Sequence, residues 1–128
     1  MQLEQSAYPA EFPVLVEDEL FLYPFMITPI FLNDIANIKA LDLALKNETM
    51  IFVAPSKFEG ARGFDELYDC GVIGTVMRKV PLPDGRVKIL FQGYAKGKII
   101  KQIGVKPLRA LVDIISQENS SGAQNDAL

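Results

Sequence analysis

Residues 22–32, LYPFMITPIFL, are almost wholly apolar yet carry two prolines five positions apart. Inside a helix each proline removes an amide donor and clashes with the preceding turn, at a cost of about 3 kcal/mol. Two such costs would offset much of a domain stability of roughly 5–15 kcal/mol, so a buried helix is excluded. The apolar run at 20–32 is bounded by Glu17, Asp18 and Glu19 on one side and by Asn33 and Asp34 on the other. It is shorter than the roughly 20 residues a membrane-spanning helix needs. Extended chain remains. Proline donates nothing to a sheet ladder, so Pro24 and Pro29 belong at strand ends, on an edge or at a bulge. Successive strand side chains face opposite sides, and part of this apolar surface is therefore left for something other than the core.

The sequence has 128 residues, of which 49% are hydrophobic. That is enough for one domain with a sizeable core and too apolar for a disordered tail. Cys70 is the single cysteine, which excludes an internal disulfide framework and a multi-cysteine metal cage and fits a reducing compartment. The opening MQLEQSAYPAEF has no basic region and no long apolar run, unlike a secretory or transit leader. The net charge of −3 hides an asymmetry: residues 1–70 hold 12 acids and 4 bases, residues 71–128 hold 4 acids and 9 bases. Lys88, Phe91, Tyr94, Lys96 and Lys98 mix cations with aromatics, as single-strand nucleic-acid binders do. Strand alternation with a solvated basic face explains the same pattern, and overall acidity opposes nucleic-acid binding.

Residues 12–16, FPVLV, read as a strand, and a second strand ends near Leu32. Asn33 or Asp34 is placed to cap a helix over DIANIKALDLALKN, whose Ile35, Ile38, Leu41 and Leu45 recur at helical spacing as a core stripe. Residues 50–55, MIFVAP, form a buried-type strand, followed by a polar loop with two glycines. GVIGTVMRKV and RVKILFQG flank PLPDG and predict a β-hairpin, with Asp84 and Gly85 supplying the turn and Gly85 its positive φ. Residues 98–103 predict a further strand, while 108–115 read as strand or helix. From Ser116 the chain turns polar, as a linker does. The organisation expected is a flexible start at 1–11, one domain at 12–115 and a polar tail at 116–128. Its class is α+β, mainly β: a curled sheet or small barrel with one amphipathic helix.

Without histidine the usual general base is missing, and Ser-His-Asp and Cys-His arrangements are excluded. Cys70 follows Asp69, whose charge raises a thiol pKa, so a packed, inert thiol is expected. GKII at 97–100 fails the phosphate-loop pattern at two positions, Gln92 and Ile99. The acids at 17–19 and 65–66 have no fixed separation, so they define no hydrolytic pair. No catalytic residues, metal ligands or cofactor site are expected.

Taken in order, the motifs resemble a known family. LYPFMITPIF is similar to the Tyr-Pro-x-Met-x-x-Pro-aliphatic-Phe signature near the start of ATP-dependent Lon proteases, and a helix, MIFVAP, CGVIGTV, LPDGRVKILFQG and a lysine-rich strand follow as in that family. The resemblance covers roughly residues 12–115 and is to the N-terminal domain. It implies a PUA-like fold, a bacterial cytoplasmic setting and a parent that assembles as a hexameric ring. In the family this domain selects and holds unfolded or tagged substrates, whereas ATP with Mg and the serine-lysine cleavage chemistry belong to modules these residues do not include. The alternatives are a free-standing Lon-like binding module and an oligomerisation domain. Adaptable apolar side chains suit varied partners. On that basis Phe25 and Met26, stiffened by Pro24 and Pro29, are expected to form one substrate patch with Leu82 and Pro83 of the hairpin tip, with Phe58 and Phe64 as lesser candidates.

Overall fold

The computed structural model describes residues 10–18, 26–60 and 63–116. Six strands and one α-helix are found among them: β1 (Ala10–Glu17), β2 (Ile27–Leu32), α1 (Ile35–Asn47), β3 (Ile51–Pro55), β4 (Cys70–Pro81), β5 (Val87–Val105) and β6 (Leu108–Ser116). A short 3-10 turn, Phe64–Glu66, lies between β3 and β4. The sheet order is β2-β5-β4-β3-β1-β6, and β6 pairs again with β5. That second pairing closes β1, β3, β4, β5 and β6 into a small barrel. Among the described residues the expected mainly-β architecture with one helix is therefore found, and the segment at 108–115 is strand. Leu108, Ala110 and Val112 are buried at alternate positions, the period a strand needs to seal the barrel.

The sheet carries a separate core on each face. Inside the barrel, Phe12, Val14 and Val16 meet Phe52, Ala54, Ile73, Leu108, Ala110 and Val112. On the other face, α1 and β2 cover Leu15, Ile51, Val53, Val72, Val87, Ile89 and Phe91. The 19-residue β5 serves both cores. Its odd positions from Val87 to Gly97 are all buried, yet the register to β4 slips where Gly74 pairs Gly93 and Ile73 pairs Ala95. The extra residue is Tyr94. One added residue sends every following side chain to the opposite face, so Phe91 lies under the helix and Gly97 points at Ile73 and Val112 inside the barrel. The separate strands expected at RVKILFQG and 98–103 are thus one strand with bulges.

Asp34 is the helix N-cap, its carboxylate accepting from Asn37 N–H at 3.1 Å. The helix stripe is a correction. Leu41 is buried and Ile38 packs against the core, but Ile35 is 71% exposed and Leu45 is 40% exposed; the face turned inward is Asn37, Ala40, Leu41 and Ala44. The alanines let the helix sit close to the sheet, and Asn37 bonds it to β1. Val16 N–H donates to Asn37 Oδ1 at 2.9 Å and Asn37 Nδ2 donates to Val16 O at 2.7 Å. These bonds occupy the edge of β1 beyond Pro13, where its pairing with β6 stops. A buried amide that satisfies two backbone groups replaces the missing strand.

Pro29 resolves part of the opening puzzle. Gly93 N–H donates to Met26 O at 2.9 Å, and the antiparallel register runs from Ile27 opposite Gln92 to Leu32 opposite Val87. Hydrogen-bonded pairs alternate, so they fall at Met26, Thr28, Ile30 and Leu32. Pro29 therefore stands between them with its nitrogen toward the outer side of an edge strand, where the β5 ladder requires no donor. Pro24 and Phe25 lie outside the described residues. No helix among the described residues is long and apolar enough to cross a membrane.

Candidate functional site

β2, the first half of β5 and the second half of β4 pair as a three-stranded extension of the barrel. One face is the helix-covered core. The opposite face has no covering element among the described residues. Across it run three cross-strand rows: Phe31, Lys88 and Val80; Pro29, Leu90 and Arg78; Ile27, Gln92 and Thr75. Alternation alone would put Arg78 on the helix side with Val76, but a register shift between them makes Met77 the extra residue and returns Arg78 to the open face. Lys79, now on the helix side, is 3.1 Å from Asp42 of α1.

The open face is apolar and cationic. Ile27 is 53% and Phe31 49% exposed, far above what a core position shows. Phe31 lies beneath two cations, with the Arg86 guanidinium 5.6 Å and the Lys88 ammonium 5.9 Å from its ring centre. Such stacking holds the long side chains over the ring. Arg86 also pairs with Asp84, Nε to Oδ2 at 2.9 Å. Arg78 and Lys88 form no ion pair among the described residues. On the far side of Phe31, across the β2 edge, Glu17, Asp18, Asp34 and Glu59 line a hollow of about 270 Å³. Two of its acids are engaged internally: Asp18 accepts from Ser56 Oγ and Gly60 N–H, and Asp34 caps the helix. Among the described residues no cluster of histidine, cysteine and acids could hold a metal ion.

The hairpin tip forms as its sequence requires. Leu82 N–H donates to Arg86 O at 2.9 Å, Gly85 N–H to Leu82 O at 3.1 Å, and Gly85 adopts φ 93°. Asp84 accepts from Arg86 N–H at 3.1 Å, and hydrogen bonds from the Arg86 backbone and then its side chain hold the Asp84 carboxyl below its ordinary pKa. Leu82 is half-buried and Pro83 exposed, just beyond the row that holds Phe31.

Met26 is exposed but is not beside them. It pairs with Gly93, seven positions along β5 from Arg86, or roughly 23 Å of extended strand. It also shares the parity of Thr28 and Ile30, the helix-covered side. The structure thus does not join Met26 to Leu82 and Pro83 in one patch; the length of β2 separates them. Phe58 is 57% exposed in the loop after β3, and Phe64 packs partly against the barrel core. The residues not anticipated from the sequence are Ile27, Phe31, Leu90 and Arg78, whereas Lys88 stood out there only as one of several cations mixed with aromatics. The alternation in ITPIFL and VKILFQ carried a signal for the first three, whereas the bulge that places Arg78 left none.

A larger hollow of about 480 Å³ lies against Ile99, Lys101, Phe64, Leu67 and Asp69, at least seven positions along β5 from Gln92. Cys70, expected to be packed, is exposed. It has the parity of buried Val72 but lies at the first residue of β4, beyond the helix cover. Partial desolvation and then the Asp69 carboxylate push its thiol above the ordinary pKa, as anticipated from its neighbour.

A family model described as the ATP-dependent protease La (LON) substrate-binding domain matches residues 11–128. The chain belongs to this family. It is 69% identical to the Lon protease of Campylobacter jejuni subsp. jejuni serotype O:2, a match that spans 100% of this chain and 16% of that protein. The Lon protease of Campylobacter concisus is 60% identical across 98% of this chain and 16% of its own length. The chain therefore spans about a sixth of the length of these Lon proteases, and its residues match the substrate-binding domain of the family. In three dimensions it matches the N-terminal domain of Mycobacterium avium complex Lon protease with a TM-score of 0.68 at 22% identity, over 84% of this chain and 56% of that one. At that identity the likeness establishes the fold.

Proposed function

We propose that this Lon domain holds unfolded or tagged protein segments on the open face of β2, β5 and β4 and presents them to catalytic modules elsewhere in a Lon chain. The observation that carries the reading is Phe31 and Ile27, half-exposed on a sheet face with no cover among the described residues, in a chain of the substrate-binding family. A folded protein keeps its apolar groups inside, whereas an unfolded one offers them to such a face. The apolar track runs from Ile27 through Pro29, Leu90 and Phe31 to Leu82 and Pro83. It is long enough for about six residues of extended chain at ~3.3 Å each. Met26 flanks one end, and Phe58 and Phe64 stand apart as secondary contacts. In this reading the domain works in the cytoplasm, aids assembly of a hexameric ring, and leaves ATP and Mg to another module.

Titration of the 128-residue chain with a labelled, permanently unfolded protein and with its folded form tests the reading. Selective binding of the unfolded form, weakened by Phe31→Ser in a chain that keeps its circular dichroism, is the expected result. Binding of neither form, together with self-association that rises with concentration, would replace substrate holding by an assembly role.

A further inference from the structure

Among the described residues, the charges in the rows of the open face are of one sign once internal pairs are set aside. At the hairpin tip Asp84 and Arg86 neutralise each other, and Lys79 is turned to the helix side, where it meets Asp42. Arg78 and Lys88 are left, both on the face and both without an acidic partner among the described residues. They stand in adjacent rows next to Leu90: Lys88 two residues before it on β5 and paired with Phe31, Arg78 opposite it on β4. Of the acids that line the hollow across the β2 edge from Phe31, Asp18 is engaged with Ser56 and Gly60 and Asp34 with the helix N-terminus, while Glu17 and Glu59 lie on that far side and not in the rows of the open face. Building on the reading above, we infer that this face selects extended segments whose sheet-facing side, every second residue, carries acidic as well as apolar side chains, the carboxylates meeting Arg78 and Lys88 while the apolar groups lie on Ile27, Leu90 and Phe31.

The geometry suits such a segment. Neighbouring rows are two residues apart along β5, so the cations recur at the spacing of same-side positions in an extended chain. Guanidinium and ammonium groups held above an apolar floor attract carboxylates at long range and repel lysine or arginine, so discrimination arises from repulsion as much as from attraction. Because both cations are accessible to solvent, the effect is modest and screened by salt.

Three synthetic peptides of equal length test this, sharing serine at every second position and, on the other side of the chain, one set of leucine and phenylalanine residues interspersed with glutamate, with lysine or with serine. At low ionic strength the glutamate peptide is expected to bind about 3- to 10-fold more tightly than the lysine peptide, in keeping with two exposed ion pairs. That ratio should fall toward one as salt rises to about 0.5 M. The double variant Arg78→Gln with Lys88→Gln should bring the two charged peptides to equal affinity, with its thermal midpoint showing that it remains folded. Equal binding of the charged peptides by the unaltered chain, or a preference that survives the double substitution, would overturn the inference while leaving the apolar track standing. Failure of the serine peptide and both charged peptides to bind would instead overturn the substrate-holding reading together with it.

Discussion

The two faces of the extension formed by β2, β5 and β4 are built from alternate residues of the same three strands. One face packs Ile30, Leu32, Ile89 and Phe91 beneath α1; the other shows Ile27, Phe31 and Leu90 to the solvent. Hydrophobicity does not separate them, since isoleucine, leucine and phenylalanine stand on both. What differs is cover. The helix is held over one side by Asn37, bonded to β1, and by the Lys79–Asp42 pair. Apolar residues on the covered side act on stability, while the same residue types on the open side are free to act on a partner.

The largest test of that contrast compares two phenylalanines. Phe91→Ala removes a fully buried ring and should lower the unfolding free energy by about 3–5 kcal/mol, whereas Phe31→Ala should change it by no more than about 0.5 kcal/mol while weakening the binding of unfolded chains. Urea denaturation of the two variants gives both numbers, and a large loss at Phe31 would break the distinction. Asn37→Leu keeps the branched shape but orphans the Val16 N–H and carbonyl, and a loss of about 2–4 kcal/mol is expected in the same experiment. Gly74→Ala sharpens the picture of the covered side. The new methyl would collide with the Gln92 carbonyl and the Phe91 ring, which should cost about 1–3 kcal/mol in thermal or urea unfolding.

Asp34→Ala should cost about 1 kcal/mol through the lost N-cap, visible as faster amide exchange in the first turn of α1. The smallest effect belongs to the open side. Folding lowers the Asp84 pKa, so its contribution is present above the ordinary value of 3.8 and is lost as pH falls through the lower folded value. The advantage of the unaltered chain over Asp84→Asn should therefore be measurable at about pH 6 and shrink as the pH is lowered below 3.8. The fully exposed position makes it slight.

Local chemistry was legible wherever one residue type answers one local demand. Asp34 offered a capping carboxylate, Gly85 a positive φ, and Pro29 an edge position without a donor, and each stands where its chemistry required. The helix face was less legible. Ile35 and Leu45 fit a helical stripe as well as Asn37 and Ala44 do, but a stripe of large residues would hold the helix away from the sheet, and the asparagine had a strand edge to fill. The candidate site was half legible: its apolar parity could be read from ITPIFL, yet the expected union of Met26 with Leu82 and Pro83 failed because register placed them at opposite ends of β2.

By itself the sequence determined that residues 22–32 could not be helix, that the chain is mainly β with one capped helix and a tight hairpin, and that its motifs belong to the Lon substrate-binding family. Those conclusions rest on backbone sterics, on period and on ordered motifs, all of which act over short stretches of chain. Only the tertiary structure decided which side of each strand is covered. The single residues added at Met77 and Tyr94 reverse the parity of β4 and β5, and a helix can cover one face but not both. Burial depends on contacts between residues far apart in the chain, and alternation states that two faces exist without saying which of them will find a partner.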